Sequence, residues 1–141
     1  MQALKYMRTE DRPAAETVGQ AASAVDPKPL VGTWMNTNAA TRGLAKVILT
    51  QAGDEVKLRA FGSCEPSLCD WGEAVAEVFA HDVVSREAMA FSAFFDFGFM
   101  EANLQGHVRQ GVLIIAKFDR FKDESGRSNY FTKEFFYKLP A

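Results

Sequence analysis

Neither a basic excess nor a long apolar run is present in this chain of 141 residues, and each absence narrows its function. Sixteen Lys and Arg against eighteen Asp and Glu give a formal net charge of −2. Nucleic acid and acidic membrane surfaces both call for a basic footprint, so neither is expected as a partner. No stretch approaches the roughly 18–20 apolar residues of a bilayer-crossing helix. Cysteine and histidine are scarce, two of each. A zinc site would have to draw on Cys64, Cys69, His81 and His107 together, and no metal is expected. Four residues separate Cys64 from Cys69, which is not the Cys-x-x-Cys of a redox pair. The spacing leaves open a disulfide that pins one loop or a pair of reduced thiols. Phosphate-cradling glycine loops and nucleotide fingerprints are missing too, so no cofactor is expected.

What is present divides at about residue 30. Residues 1–29 are rich in Ala, Glu, Thr and Gln and carry Pro13, Pro27 and Pro29. A short helix over Ala14 to Val25 is compatible with the composition, but alanines give it little to bury. The segment reads as an N-terminal extension, either a plug at a barrel end or a mobile terminus. Lys5 and Arg8 are not followed by an apolar core, so no secretory signal is recognised. The expectation is a cytoplasmic protein, or a secreted or periplasmic one whose leader has been removed.

From Leu30 the apolar residues recur with period two, the mark of half-buried strands. Strands are expected over 30–37, 44–51, 55–63, 71–80, 88–97, 99–110, 112–122 and 129–139. Turn-forming residues such as Gly53-Asp54, Gly98, Gly111 and Ser125-Gly126 separate them. Eight strands with short links make an antiparallel meander, which removes its edges by closing on itself. The expected fold is all-β: an eight-stranded antiparallel up-and-down barrel over 30–141 behind an N-terminal extension. A barrel of that size holds side chains or one small ligand.

Several strands sort by face. In the sixth, Met100, Ala102, Leu104, Gly106 and Val108 oppose Glu101, Asn103, Gln105, His107 and Arg109. The apolar sets, with Val56, Leu58, Ala60, Ala74, Ala76, Val78 and Ala80, are expected inside. They are small, and interiors do not keep large voids. Either the phenylalanines fill the volume or a ligand does. The fifth strand is apolar on both faces, which points to a homo-oligomer interface or to the N-terminal segment lying across it. In the last two strands Lys117, Asp119, Lys133 and Glu134 stand among aromatics, so some charge faces inward or sits at a rim on either register. His107, on the polar face of its strand, is expected in solvent. Arg42, beside Gly43, is expected as a surface charge, with Asp70 as a candidate partner.

Gly32-Thr33-Trp34 resembles the Gly-x-Trp signature of lipocalins, and Gly-Thr-Trp-Met-Asn over 32–36 also resembles the first strand of avidins. The resemblance implies a calycin-type barrel, with Trp34 packing its floor and Asn36 bonding the ligand. Avidins line their pocket with several tryptophans. This chain has only Trp34 and Trp71, which argues against biotin. A wider set of motifs resembles a family of small bacterial barrel proteins that brings no activity with it. It comprises Trp34-x-Asn36, Thr41-Arg42-Gly43, Phe61-Gly62-x-Cys64-x-Pro66-x-x-Cys69-Asp70-Trp71-Gly72 and Phe121-x-Asp123-x-Ser125-Gly126-Arg127-x-x-Tyr130.

Three functions are open. The first is binding of a small, largely apolar molecule in the lumen, with Trp34 as floor, Asn36 as polar anchor, and Trp71, Phe91, Phe95 and Phe118 as walls. The second is a cofactor-free isomerase or cyclase in the same cavity, with Glu134, Tyr130 and Lys117 as its acid–base groups. The third is a filled barrel that acts through its surface as an oligomeric interaction module.

Overall fold

A computed structural model describes residues 25–141. Its strands are β1 (Gly32–Asn36), β2 (Leu44–Ala52), β3 (Glu55–Gly62), β4 (Cys69–Ala80), β5 (Ala88–Asp96), β6 (Met100–Arg109), β7 (Val112–Phe121) and β8 (Tyr130–Lys138). Each pairs antiparallel with the next, and β8 returns to β1 through Asn36 opposite Phe136. The protein is thus a closed eight-stranded antiparallel barrel, all-β as expected. The strand limits agree with the period-two pattern to within two residues. The helix considered over 14–25 falls almost wholly outside the described residues.

Alternation places the core. Val47, Leu49, Val56, Leu58, Ala60, Ala76, Ala102, Leu104, Leu113 and Ile115 point inward and are buried. Each fully buried Leu or Ile contributes about 1.5–3 kcal/mol of transfer free energy relative to exposure. Alanine and glycine walls leave room that aromatic rings fill. Phe91 lies across Gly106, where a Cβ would collide with its ring, and Phe136 is wholly buried.

The two barrel ends differ. At one end lie the β2–β3, β4–β5 and β6–β7 turns, and the chain before β1 closes it. Leu30 and Val31, expected in the first strand, lie around a turn here: the Leu30 amide donates to the Pro27 carbonyl at 2.8 Å. That turn presents Leu30, fully buried, beneath Trp34. The Trp34 indole N–H donates to the Leu30 carbonyl at 3.0 Å, and the Lys138 ammonium covers the ring 5.5 Å from its centroid. Asp26 bridges Glu87, fastening the segment to the barrel. The other end carries the β1–β2, β3–β4, β5–β6 and β7–β8 connections.

At this second end β4 departs from simple alternation. Ala60 opposes Gly72 while Phe61 opposes Asp70, so Trp71 is an extra residue in the ladder. Such a bulge re-aims its side chain, and Gly72 takes φ +89°, a conformation that favours glycine. The Trp71 indole swings across Gly62, where a Cβ would come within 2.5 Å of its Nε1. Its edges meet Phe95 at 6.5 Å and Phe97 at 5.8 Å between centroids. Cys64 and Cys69 are joined as a disulfide closing the β3–β4 loop beside it.

Candidate functional site

Polar chemistry inside the barrel concentrates at the Trp71 end, on β7 and β8. Lys117 and Asp119, two residues apart on one face of β7, both point inward, at 5% and 2% exposure. They form an ion pair through Nζ and Oδ2. The second carboxylate oxygen, Oδ1, is buried and accepts no well-formed hydrogen bond. Aromatic rings enclose the lysine: its Nζ lies 4.9 Å from the Tyr130 centroid and 6.0 Å from that of Trp71, in range for cation–π attraction. Tyr130 pairs with Asp119 across the β7–β8 ladder. Burial first, and then hydrogen bonding and charge from Asp119, push the Tyr130 hydroxyl up to about 12. Each of these effects disfavours the phenolate, so the hydroxyl remains a donor.

Of the acid–base trio expected from the sequence, Lys117 and Tyr130 come together and Glu134 stands apart. Glu134 does face the interior, opposite Ile115. Its Oε1 accepts the Thr41 hydroxyl at 2.7 Å, which fastens the β1–β2 loop. Asp119, named from the sequence among the charges of the last two strands but not as an acid–base group, takes the third place. The signal was available, since residues two apart on a strand share a face.

The expected ligand-binding residues divide more sharply. Phe91 and Phe95 point inward and are buried, and Trp71 lines the polar end. Trp34 lies inside, but at the closed end with Leu30. Asn36 is buried with its amide committed to the chain. Its Nδ2 donates to the Leu44 carbonyl at 2.8 Å, and its Oδ1 accepts the Asn38 amide at 2.8 Å. It fastens a loop, and the polar-anchor expectation is corrected. Phe118 is corrected too: it points outward, 45% exposed. With Lys117 and Asp119 inside, the period of two leaves Phe118 no other face.

Outside the barrel, Asp70 pairs with Arg59 at 2.6 Å, not with Arg42. That guanidinium, and then the Gly72 amide, hold the Asp70 carboxyl below its ordinary value. His107 lies on the outer face, half-buried, opposite Ala90 and Ile114. Among the described residues no group of three His, Cys, Asp or Glu side chains converges as a metal site. No helix among them is long and apolar enough to cross a membrane. No family model, curated protein or solved structure matches the chain.

Proposed function

We propose that the barrel binds a small molecule at the Trp71 end of its lumen, the molecule's apolar body against Trp71, Phe95 and Phe97 and a hydrogen-bond donor turned toward Asp119. One observation carries this reading: a buried ion pair beneath aromatic rings, its carboxylate reached besides Lys117 only weakly, by the Tyr130 hydroxyl. Burying two charges costs several kcal/mol each, and well-packed apolar residues generally stabilise an interior as well or better. The Leu30 half of the interior follows that rule. A pair that adds little to stability, placed where the lining is aromatic, is accounted for by a ligand that uses it. Gly32-Thr33-Trp34 opening β1, with Trp34 closing the opposite end, supports placing the barrel beside the lipocalins.

Catalysis has less support. Glu134 is engaged by Thr41, and a hydroxyl that keeps its proton to about pH 12 is a poor base.

Native mass spectrometry of the protein purified from its own host tests the proposal, with a denatured run beside it. The expected result is a stoichiometric extra mass that denaturation removes and that the Lys117→Met/Asp119→Leu variant fails to retain. The fluorescent probe 1-aminoanthracene, added to the apo protein, should bind and quench Trp71. Identical native and denatured masses together with no binding of the probe would overturn the reading.

A further inference from the structure

The outer wall poses a separate problem. On the β4–β5 face stand Val75, Phe79 and Phe94, and on the β7–β8 face Phe118, Phe131 and Phe135, each between 45% and 58% exposed. Large apolar side chains in groups, half out of water, mark contact surfaces rather than ordinary surface scatter.

The strand register shows that both faces share one layout. On β7–β8, Phe118 opposes Phe131, Ala116 opposes Lys133, and Ile114 opposes Phe135. On β4–β5, Val75 and Phe94 flank the row in which Glu77 opposes Ser92, and Phe79 opposes Ala90 beyond it. Each face is therefore an apolar row, a row with one charge beside a small residue, and a second apolar row. The charges have opposite sign. Several outer-wall charges are paired, as Arg59 is with Asp70 and Lys122 with Asp96. Glu77 and Lys133 have no ion-pair partner among the described residues, although each is exposed. Open hollows run along both faces: one of about 560 Å³ lined by Val75, Glu77 and Phe94, one of about 470 Å³ that reaches from Phe79 and Ser92 across β6 to Ala116, and one of about 380 Å³ between Phe118 and Phe131.

We propose that the occupant of each face is a second copy of this chain: the β4–β5 face of one copy receives the β7–β8 face of another, with Glu77 against Lys133. Packing either face on its own kind would set like charges together inside an apolar contact, which is unfavourable. The contact is therefore heterologous. Because β6 separates the two faces on a curved wall, each copy engages two neighbours, and assembly passes beyond a dimer into a ring or a chain.

Analytical ultracentrifugation of the full chain across micromolar concentrations provides the test. The wild type is expected to associate, and Glu77→Lys and Lys133→Glu each to weaken association at least about tenfold. The double variant E77K/K133E is expected to recover most of the loss, since it rebuilds the pair with its charges exchanged. Both positions lie on the outer face, and thermal melts confirm that each variant folds; Glu77→Gln and Lys133→Gln replace any that does not. A monomeric wild type would overturn the proposal, because the faces would then belong to another partner. So would an oligomer indifferent to the single changes, or a double variant no better than the singles.

Discussion

Two halves of one lumen are built on opposite principles. Toward the Leu30 end the interior is Trp34, Leu49, Leu113 and Phe136, buried side chains in a plain period of two. Its one polar tip, the Trp34 indole N–H, is satisfied by a backbone carbonyl. Toward the Trp71 end the same strands supply Lys117, Asp119, Tyr130 and Glu134, and the period is broken by a bulge. The first half stabilises the fold by removing apolar area from water. The second gives up part of that stabilisation to hold charge in a dry place. Energetic consequences of substitution should therefore differ in kind between the halves, not only in size.

The largest effect is expected in the polar half. Lys117→Met strands the Asp119 carboxylate without its ammonium, and breaking a buried pair from one side costs about 3–5 kcal/mol. Adding Asp119→Leu should return most of that loss, since the second change removes the stranded charge. Urea denaturation of the two single variants and the double closes the cycle. Additive losses would mean that the two side chains do not act as a pair. In the apolar half no second substitution rescues the first. Leu104→Ala, at a position with no exposure, should cost about 2–5 kcal/mol according to how far the cavity collapses. A loss well under 1 kcal/mol there would show the interior to be looser than its burial implies.

The same contrast explains what the sequence allowed to be read. In β3 and β6 the two faces differ cleanly, so inward sets such as Val56, Leu58 and Ala60 were legible from alternation alone. β7 and β8 mix charges and aromatics on both faces, and hydrophobicity cannot select the phase. Lys117 and Asp119 share a face on either register; in the structure that face is the inner one, where they neutralise each other, and Phe118 is then driven out. Trp71 was expected as a wall, although strict period two would put it on the outer face with Glu73; the bulge that turns it inward was not read, and Gly72, permissive of positive φ, was its visible trace. The function imagined for Asn36 failed for a local reason. Its two amide groups are used by Leu44 and Asn38, contacts that depend on how the β1–β2 loop folds back and not on any spacing in the strand.

A smaller effect is expected from the staple at the polar end. The Cys64–Cys69 disulfide closes a ring of six residues, and loop-closure entropy for so short a ring amounts to about 2 kcal/mol. Reduction should lower stability by roughly that amount. Because Trp71 lies close to Cys69 on β4, its fluorescence should change on reduction while the environment of Trp34 is kept. Comparison with a Trp34→Phe variant separates the two indoles. Equal disturbance of both would mean that the loop supports the whole barrel and not one end.

The smallest effect is one of pH, and it isolates Tyr130. Its hydroxyl titrates near 12 in the folded chain against an ordinary value of 10.0. A folded value above the unfolded one means that the unfolded chain loses its proton first as pH rises. The contribution is therefore fully present below about pH 10 and disappears as pH climbs through 12. Tyr130 is 48% exposed, so solvent screening reduces the energy involved, and the spectrum is a better readout than the melting temperature. Tyrosinate absorbance of the native protein minus that of Tyr130→Phe should rise about two pH units later than an ordinary tyrosine. Lys117→Met/Asp119→Leu should move that midpoint back toward 10, because the hydrogen bond and the charge supplied by Asp119 are then gone while part of the burial remains. A midpoint that stays near 12 in the double variant would assign the whole shift to burial and detach Tyr130 from the ion pair. An ordinary midpoint in the wild type would place the ring in open solvent, and the polar half of the lumen would lose its aromatic cover.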